Sequence, residues 1–219
     1  VDNKWIAGVN STYPDTASVP TQIDGIAGAS ISGVTSTTSN GNYKVGDVIN
    51  FAITFSESVN VNTAEGNPTL ELETGTNNRS ATYVSGSGSS TLLFSYTVQP
   101  DDTAIDLDYT STSALSLNSG TIQDATGNNA ILTLVSPGAA GSLAANHDLV
   151  IDGIVQTVSS ISSFTSDGLY KVGDVIDLAV TFSESVNVDT TGGTPTLELE
   201  TGTNNRSATY VSGSGSSTL

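Results

Sequence analysis

Carboxylates dominate the chemistry open to this chain. It carries 22 Asp and Glu against five Lys and Arg, giving a formal net charge of −17 at pH 7. A calcium ion takes roughly six to eight oxygen ligands, most of them carboxylates and carbonyls. Candidates fall at recognisable places in the sequence. Asp24 and Asp152 lie in two IDG triplets, and Glu57 and Glu184 in two FSES runs expected just past a strand end. Asp101 and Asp102 occupy a Pro-Asp-Asp turn. Asp106 and Asp108 form a D-x-D pair expected on one face of a strand. Asp124, Asn128 and Asn129 belong to DATGNN, a loop rich in oxygen donors. The metal reading is a Ca2+ site where successive units meet, drawing on a linker Asp, the FSES Glu and loop Asp or Asn. The competing reading is solvated turn carboxylates bonding to their own backbone. No EF-hand loop and no Gly-Gly-x-Gly-x-Asp nonapeptide occurs.

Other chemistries find less support. Cys is absent, so there is no disulfide, no thiolate site and no Cys nucleophile. His147 is the single His and reads as an exposed loop residue. Ser is abundant, but no Gly-x-Ser-x-Gly elbow is present, and the SGSG run at 85–88 reads as a hairpin turn. The expectation is therefore a protein that is not an enzyme. Lys44 and Lys171 share the context YKVGD. They read as partners of Asp47 and Asp174 rather than as cross-linking lysines. Asn10, Asn78 and Asn205 open N-x-Ser/Thr triplets, which chance produces readily in such a chain. Strong acidity disfavours nucleic acid and anionic membrane surfaces, because the Coulomb term has the wrong sign. No apolar run is long enough to span a bilayer. Salt would also screen the self-repulsion of this many negatives.

The elements that must position these groups follow from a repeat. Residues 43–92 recur as 170–219, an offset of 170 − 43 = 127, and differ at only seven of 50 positions, leaving 43 identical. The changes keep character: Phe51 becomes Leu178, Ile53 becomes Val180, Asn50 becomes Asp177. The IDG triplet recurs at an offset of 151 − 23 = 128. This pattern is a duplicated unit of domain size, about 128 residues. The expected organisation is a tail of a preceding unit or an extended segment at 1–22, a complete unit at 23–151 and a partial one at 152–219. The partial unit lacks counterparts of the last part of the complete one, so a bare apolar face is expected. The chain then reads as a window of a longer array. The competing view is an extended N-terminal segment that completes a neighbour by strand addition.

Within the complete unit, apolar residues alternate in short runs bounded by Gly, Pro, Asn and Asp, the signature of antiparallel strands. Strands are expected at 31–35, 48–55, 69–74, 81–84, 92–98, 105–109, 114–117, 131–135 and 149–151. No stretch has helical periodicity. The fold class expected is all-β, an antiparallel β-sandwich with Greek-key connections.

The runs NGNYKVGDVINFAITFSESVNV, PTLELETG, ATYVSGSGSSTLLFSYTV, DLDYTSTSALSLNSGTIQDATGNNAILTL and LVIDG, in this order, resemble the bacterial Ig-like and cadherin-like repeats of giant extracellular adhesins. The resemblance covers 23–152 fully and 152–219 as a partial copy. It implies export to the cell surface, tandem Ig-like stacking and Ca2+ where domains meet. The expected role is a structural spacer in a surface adhesin or filament, its partners neighbouring repeats, with a cell-surface or glycan ligand elsewhere. Alternatives are a filament subunit joined by strand complementation and a module that binds ligand through its loops.

Overall fold

The computed structural model describes residues 28–219. Asp24, Trp5, Asn10 and the expected segment 1–22 lie outside these described residues. Within them the protein is all-β, with fifteen strands and one four-residue helix.

The first copy supplies β1 (Ile31–Ser36), β2 (Gly41–Lys44), β3 (Val48–Asn62), β4 (Thr69–Leu72), β5 (Arg79–Ser85), β6 (Ser89–Thr97), β7 (Thr103–Ala104), β8 (Leu115–Ser116), β9 (Thr121–Asp124), α1 (Leu143–Asn146) and β10 (Leu149–Asp152). An antiparallel sheet runs β1-β3-β6-β5-β4-β8, with β9 paired to the far half of β3. The period-two pattern sets its inner face. Ile49, Phe51, Ile53 and Phe55 of β3 and Leu92, Phe94 and Tyr96 of β6 are all buried. A register shift between Thr54 and Val59 interrupts the β3–β6 ladder, which resumes at Val59 opposite Ser89, and on its other edge β3 passes from β1 to β9, paired from Val59 to Asn62. An irregularity of this kind bends a strand, and here it lies where β3 exchanges one edge partner for another. The β5–β6 turn needs Gly86, whose φ is 110° and where an added Cβ would lie 2.2 Å from the Thr91 carbonyl oxygen.

A second, small sheet runs β2-β10-β7, with β10 parallel to β2 and antiparallel to β7. Leu149 and Ile151 of β10 join the same buried cluster as the large sheet, together with Leu107, Tyr109, Leu134 and Leu143. The closing half of the copy, beyond β6, therefore caps the core formed by the opening half.

Several expectations need correction. Residues 105–109 and 131–135 are not strands; Ile131 makes only an isolated bridge with Ser30, and Ile105 is fully exposed. The physical reason at 105–109 is local competition. Tyr109 keeps an isolated antiparallel bridge with Leu72, but the Asp108 carboxylate accepts the backbone N–H groups of Tyr109 and Gly138 at 2.9 Å each, and the pairing does not extend into a strand. The D-x-D pair accordingly shares no strand face: Asp108 is buried and Asp106 exposed. Strands β2, β7 and β9 and the helix were not expected. The helix is a single turn, capped by the Ser142 hydroxyl accepting from the Ala145 N–H. Glu57 lies within β3, at its irregularity, and Glu184 within the matching strand of the second copy, rather than past a strand end.

The second copy forms β11 (Val158–Ser163), β12 (Leu178–Val186), β13 (Thr196–Leu199), β14 (Arg206–Thr209) and β15 (Ser216–Thr218). They make a three-stranded sheet β11-β12-β15 and a separate β13-β14 hairpin. Pairing repeats that of the first copy: Ile31 opposite Phe55 becomes Val158 opposite Phe182, and Thr69 opposite Thr82 becomes Thr196 opposite Thr209. Burial does not repeat. Ile49, Phe51, Leu70 and Leu72 are fully buried, whereas Ile176 is exposed and Leu178, Leu197 and Leu199 are half-exposed.

Candidate functional site

The junction between the copies is built from backbone. The Gly153 N–H donates to the Asp102 carbonyl at 2.7 Å, and the Asp101 N–H donates to the Gly153 carbonyl at 3.0 Å. The Pro-Asp-Asp turn is thus bonded to the IDG triplet that leads out of the first copy. A Cβ on Gly153 would sit 2.5 Å from the Gln99 carbonyl oxygen and 2.7 Å from that of Asp102. No side chain fits there, which accounts for the glycine of the triplet. Asp152 is exposed, and its Oδ1 accepts from the Ile154 N–H at 3.3 Å. Two residues further on, Gln156 donates to Glu184 Oε1 at 3.2 Å, so the FSES glutamate of the second copy does reach the linker. Glu57, its counterpart, is exposed on β3.

Asp102 is not a free turn carboxylate. It is fully buried. Its Oδ1 accepts from Arg79 Nε at 2.7 Å, and its Oδ2 accepts from the Tyr96 hydroxyl at 2.6 Å and the Gln99 N–H at 2.9 Å. Burial pushes the Tyr96 phenol well above its ordinary value, and the hydrogen bond to Asp102 adds to the rise. The neighbouring Asp101 is exposed in the left-handed region at φ 68°. This network was missed in the sequence because Arg79 and Asp102 are 23 positions apart and only the fold joins them.

The DATGNN loop closes on itself. Asp124 Oδ1 accepts from the N–H and hydroxyl of Thr126 and from the Asn128 N–H, and Oδ2 accepts from Asn128 Nδ2. Burial by itself raises the Asp124 pKa, but these bonds from Thr126 and Asn128 outweigh it and hold the carboxyl at about 2. Asn129 Oδ1 accepts from Gln123 Nε2 at 3.0 Å. Asp108 is committed to Tyr109 and Gly138. Asp106 is raised, first by burial and then by the negative charge of Asp148, against the lowering bond from the Leu149 backbone.

The candidate ligands therefore divide. Asp102, Asp108, Asp124 and Asn128 spend their oxygens, or the amide of Asn128, on internal hydrogen bonds. Asp101, Asp152 and Glu184 lie at or beside the junction, while Asp106 and Glu57 are exposed elsewhere. Among the described residues no three carboxylate or imidazole side chains converge closely enough to hold a metal ion. A cation at this junction would have to take most of its ligands from carbonyls, water or a neighbouring unit.

The remaining groups with chemical potential are structural. His147 is half-buried rather than an exposed loop residue; its ring nitrogens contact Asn40 Oδ1 at 2.9 Å and Thr35 Oγ1 at 2.8 Å, tying α1 to β1. Lys44 pairs with Asp47 at 3.3 Å and its side chain is 81% exposed, a solvated pair as expected. Among the described residues no helix is long and apolar enough to cross a membrane. No family model, curated protein or solved structure matches the chain.

Proposed function

We propose that the chain is a run of extracellular spacer modules from a large bacterial surface adhesin or filament, Ig-like units stacked through IDG junctions that Ca2+ stiffens. The observation that supports this reading most is Gly153. A motif that recurs between near-identical units is bonded by its backbone to the turn of the preceding unit, at a position that admits no side chain. That is what a spacer requires: a defined exit angle set by main-chain bonds, independent of loop side chains. The partners in this reading are the neighbouring repeats. Asp101, Asp152 and Glu184 are the side chains placed to meet a cation there, and the surface charge would keep long arrays soluble.

The full chain tests the proposal. Small-angle scattering and thermal melting are recorded with Ca2+ and with excess chelator. Chelation should broaden the distribution of end-to-end distances and lower the melting temperature, since an ion that binds only the folded form stabilises it by mass action. Superimposable curves reject the calcium part. A Gly153→Ala chain should show the same loosening without any chelator, and an unchanged scattering profile would remove the junction from the argument.

A further inference from the structure

In the first copy the β5–β6 ladder stops short of one end of both strands. It pairs Ser85 with Leu93, Tyr83 with Phe94 and Thr82 with Ser95, and goes no further. Continued in register, it would pair Ser80 with Thr97, since 80 + 97 = 82 + 95. Instead the Gln99 side-chain Nε2 donates to the Thr97 carbonyl at 2.8 Å. A cleft of about 410 Å3 lies at this end of the two strands, lined by Arg79, Ser80, Thr82, Ser95, Thr97 and Gln99 along the backbone of β6. Its size falls toward the lower end of the roughly 300–1,000 Å3 usual for small-molecule sites.

The donors and acceptors in this cleft are largely unspent. The hydroxyls of Ser80, Thr82, Ser95 and Thr97 make no hydrogen bond among the described residues, whereas those of Ser36, Thr74 and Ser89 bond to backbone carbonyls. Arg79 is held in place from below. Its Nε donates to the buried Asp102 carboxylate at 2.7 Å, and its Nη2 lies 3.4 Å from the Pro100 carbonyl. Its Nη1 makes no hydrogen bond among the described residues, and 34% of the side chain is open to solvent. A guanidinium fixed through Nε keeps its other edge as a rigid fork of donors. Charge decides what that fork can take. Asp102 already neutralises Arg79, Asp101 adds a negative charge nearby, and the whole chain stands at −17. An anion entering the cleft would therefore be repelled, and a neutral ligand rich in hydroxyls would not.

We propose that this cleft binds a neutral saccharide. Two adjacent hydroxyls of one sugar ring meet the free edge of the Arg79 guanidinium, and the remaining hydroxyls exchange hydrogen bonds with Ser80, Thr82, Ser95 and Thr97. The cleft offers no aromatic face for the ring to stack on, because Tyr96 is buried. Binding then rests on hydrogen bonds made in competition with water, and a single site is weak. The proposal goes beyond the spacer reading and depends only on the first copy, so a chelator-insensitive chain would leave it standing.

The test uses the full chain, with backbone amide NMR shifts followed at 79–82 and 95–99 and the 121–128 segment as the internal reference. The probes are the methyl glycosides of glucose, galactose and mannose, with methyl glucuronoside and inorganic phosphate as charged comparisons. At least one neutral glycoside should shift the cleft amides saturably, with Kd on the order of 10 mM, and leave the reference unmoved. The charged probes should bind more weakly. Thr82→Val combined with Thr97→Val removes two exposed hydroxyls and keeps β-branched residues in both strands, so the fold is retained. It should weaken binding about tenfold, as for two lost hydrogen bonds. No cleft shift at about 100 mM of any neutral glycoside, ten times that Kd, overturns the proposal and leaves the cleft to water. So does tighter binding of glucuronoside or phosphate, which would mark an anion site, and so does sugar binding that the double variant leaves unchanged.

Discussion

Two stretches of nearly the same sequence form the same strands in this molecule and bury different amounts of surface. Leu70 of β4 and Leu197 of β13 have identical neighbours from Pro68 to Leu92 and from Pro195 to Leu219. Their strands pair in the same register with β5 and β14. Even local side-chain bonds recur: the Ser87 N–H donates to the Tyr83 hydroxyl at 3.0 Å, and the Ser214 N–H to the Tyr210 hydroxyl at the same distance. Yet Leu70 is fully buried and Leu197 half-exposed. Register and turn geometry are thus properties of a few adjacent residues. Burial is not, because Leu70 shares its core with Leu107, Leu115 and other residues that lie outside the repeated stretch.

This contrast can be broken by matched substitutions. The largest effect is expected at the core. Leu70→Ala should cost about 4 kcal/mol in urea unfolding of the first copy, the transfer term plus the cavity left behind. Leu197→Ala should cost under about 1 kcal/mol, as for a surface change. Equal costs would show that the second copy is closed in solution. Next comes the buried carboxylate. Asp102→Ala strands the Tyr96 hydroxyl and the Gln99 N–H beneath the surface and should cost on the order of 3 kcal/mol. Arg206→Gln, at an exposed side chain, should leave stability unchanged.

The smallest effect is a pH dependence that the first copy carries through Asp124 and Tyr109. The folded value of Asp124, about 2, lies below its ordinary 3.8. A depressed carboxylate contributes stability that is complete above the ordinary value and is lost as pH falls through the folded one. Melting temperature should therefore fall between about pH 4 and pH 2 in the parent chain, and less steeply in Asp124→Asn. At the alkaline end the sign reverses. Burial, with Asp108 nearby, pushes the Tyr109 phenol up to about 12. Stability should hold below pH 10 and decline as pH rises toward 12. A parent chain that is flat in both windows would show that these groups are as solvated as the exposed carboxylates of the second copy.

Much of the large sheet was legible in the residues. Alternation located β1, β3, β4, β5, β6 and β10, and placed Phe94 and Tyr96 on one face of β6, because a period of two on a half-buried strand is a local signal. Strands β2 and β9 were not legible: GNYK and TIQD have little apolar contrast, and their pairing depends on β10 and on the irregularity in β3. The strands expected at 105–109 and 131–135 failed for the reverse reason. Their apolar residues pack as loops held by the Asp108 carboxylate and by the Tyr109 hydroxyl donating to the Val135 carbonyl at 2.6 Å. Among candidate ligands the sequence could show an acidic residue in a turn. It could not show that Asp102 and Asp124 are already satisfied by hydrogen bonds.

By itself, then, the sequence determined an acidic, cysteine-free, β-rich chain with a duplicated unit, the register of its hairpins and the location of its turns. These follow from residue type, spacing and local backbone preference. Only the tertiary structure decided which carboxylates remain available, why Gly153 admits no side chain, and that Leu70 is buried while its counterpart Leu197 is half-exposed. Those properties depend on groups distant in the chain arriving at the same place, and no local pattern encodes that arrival.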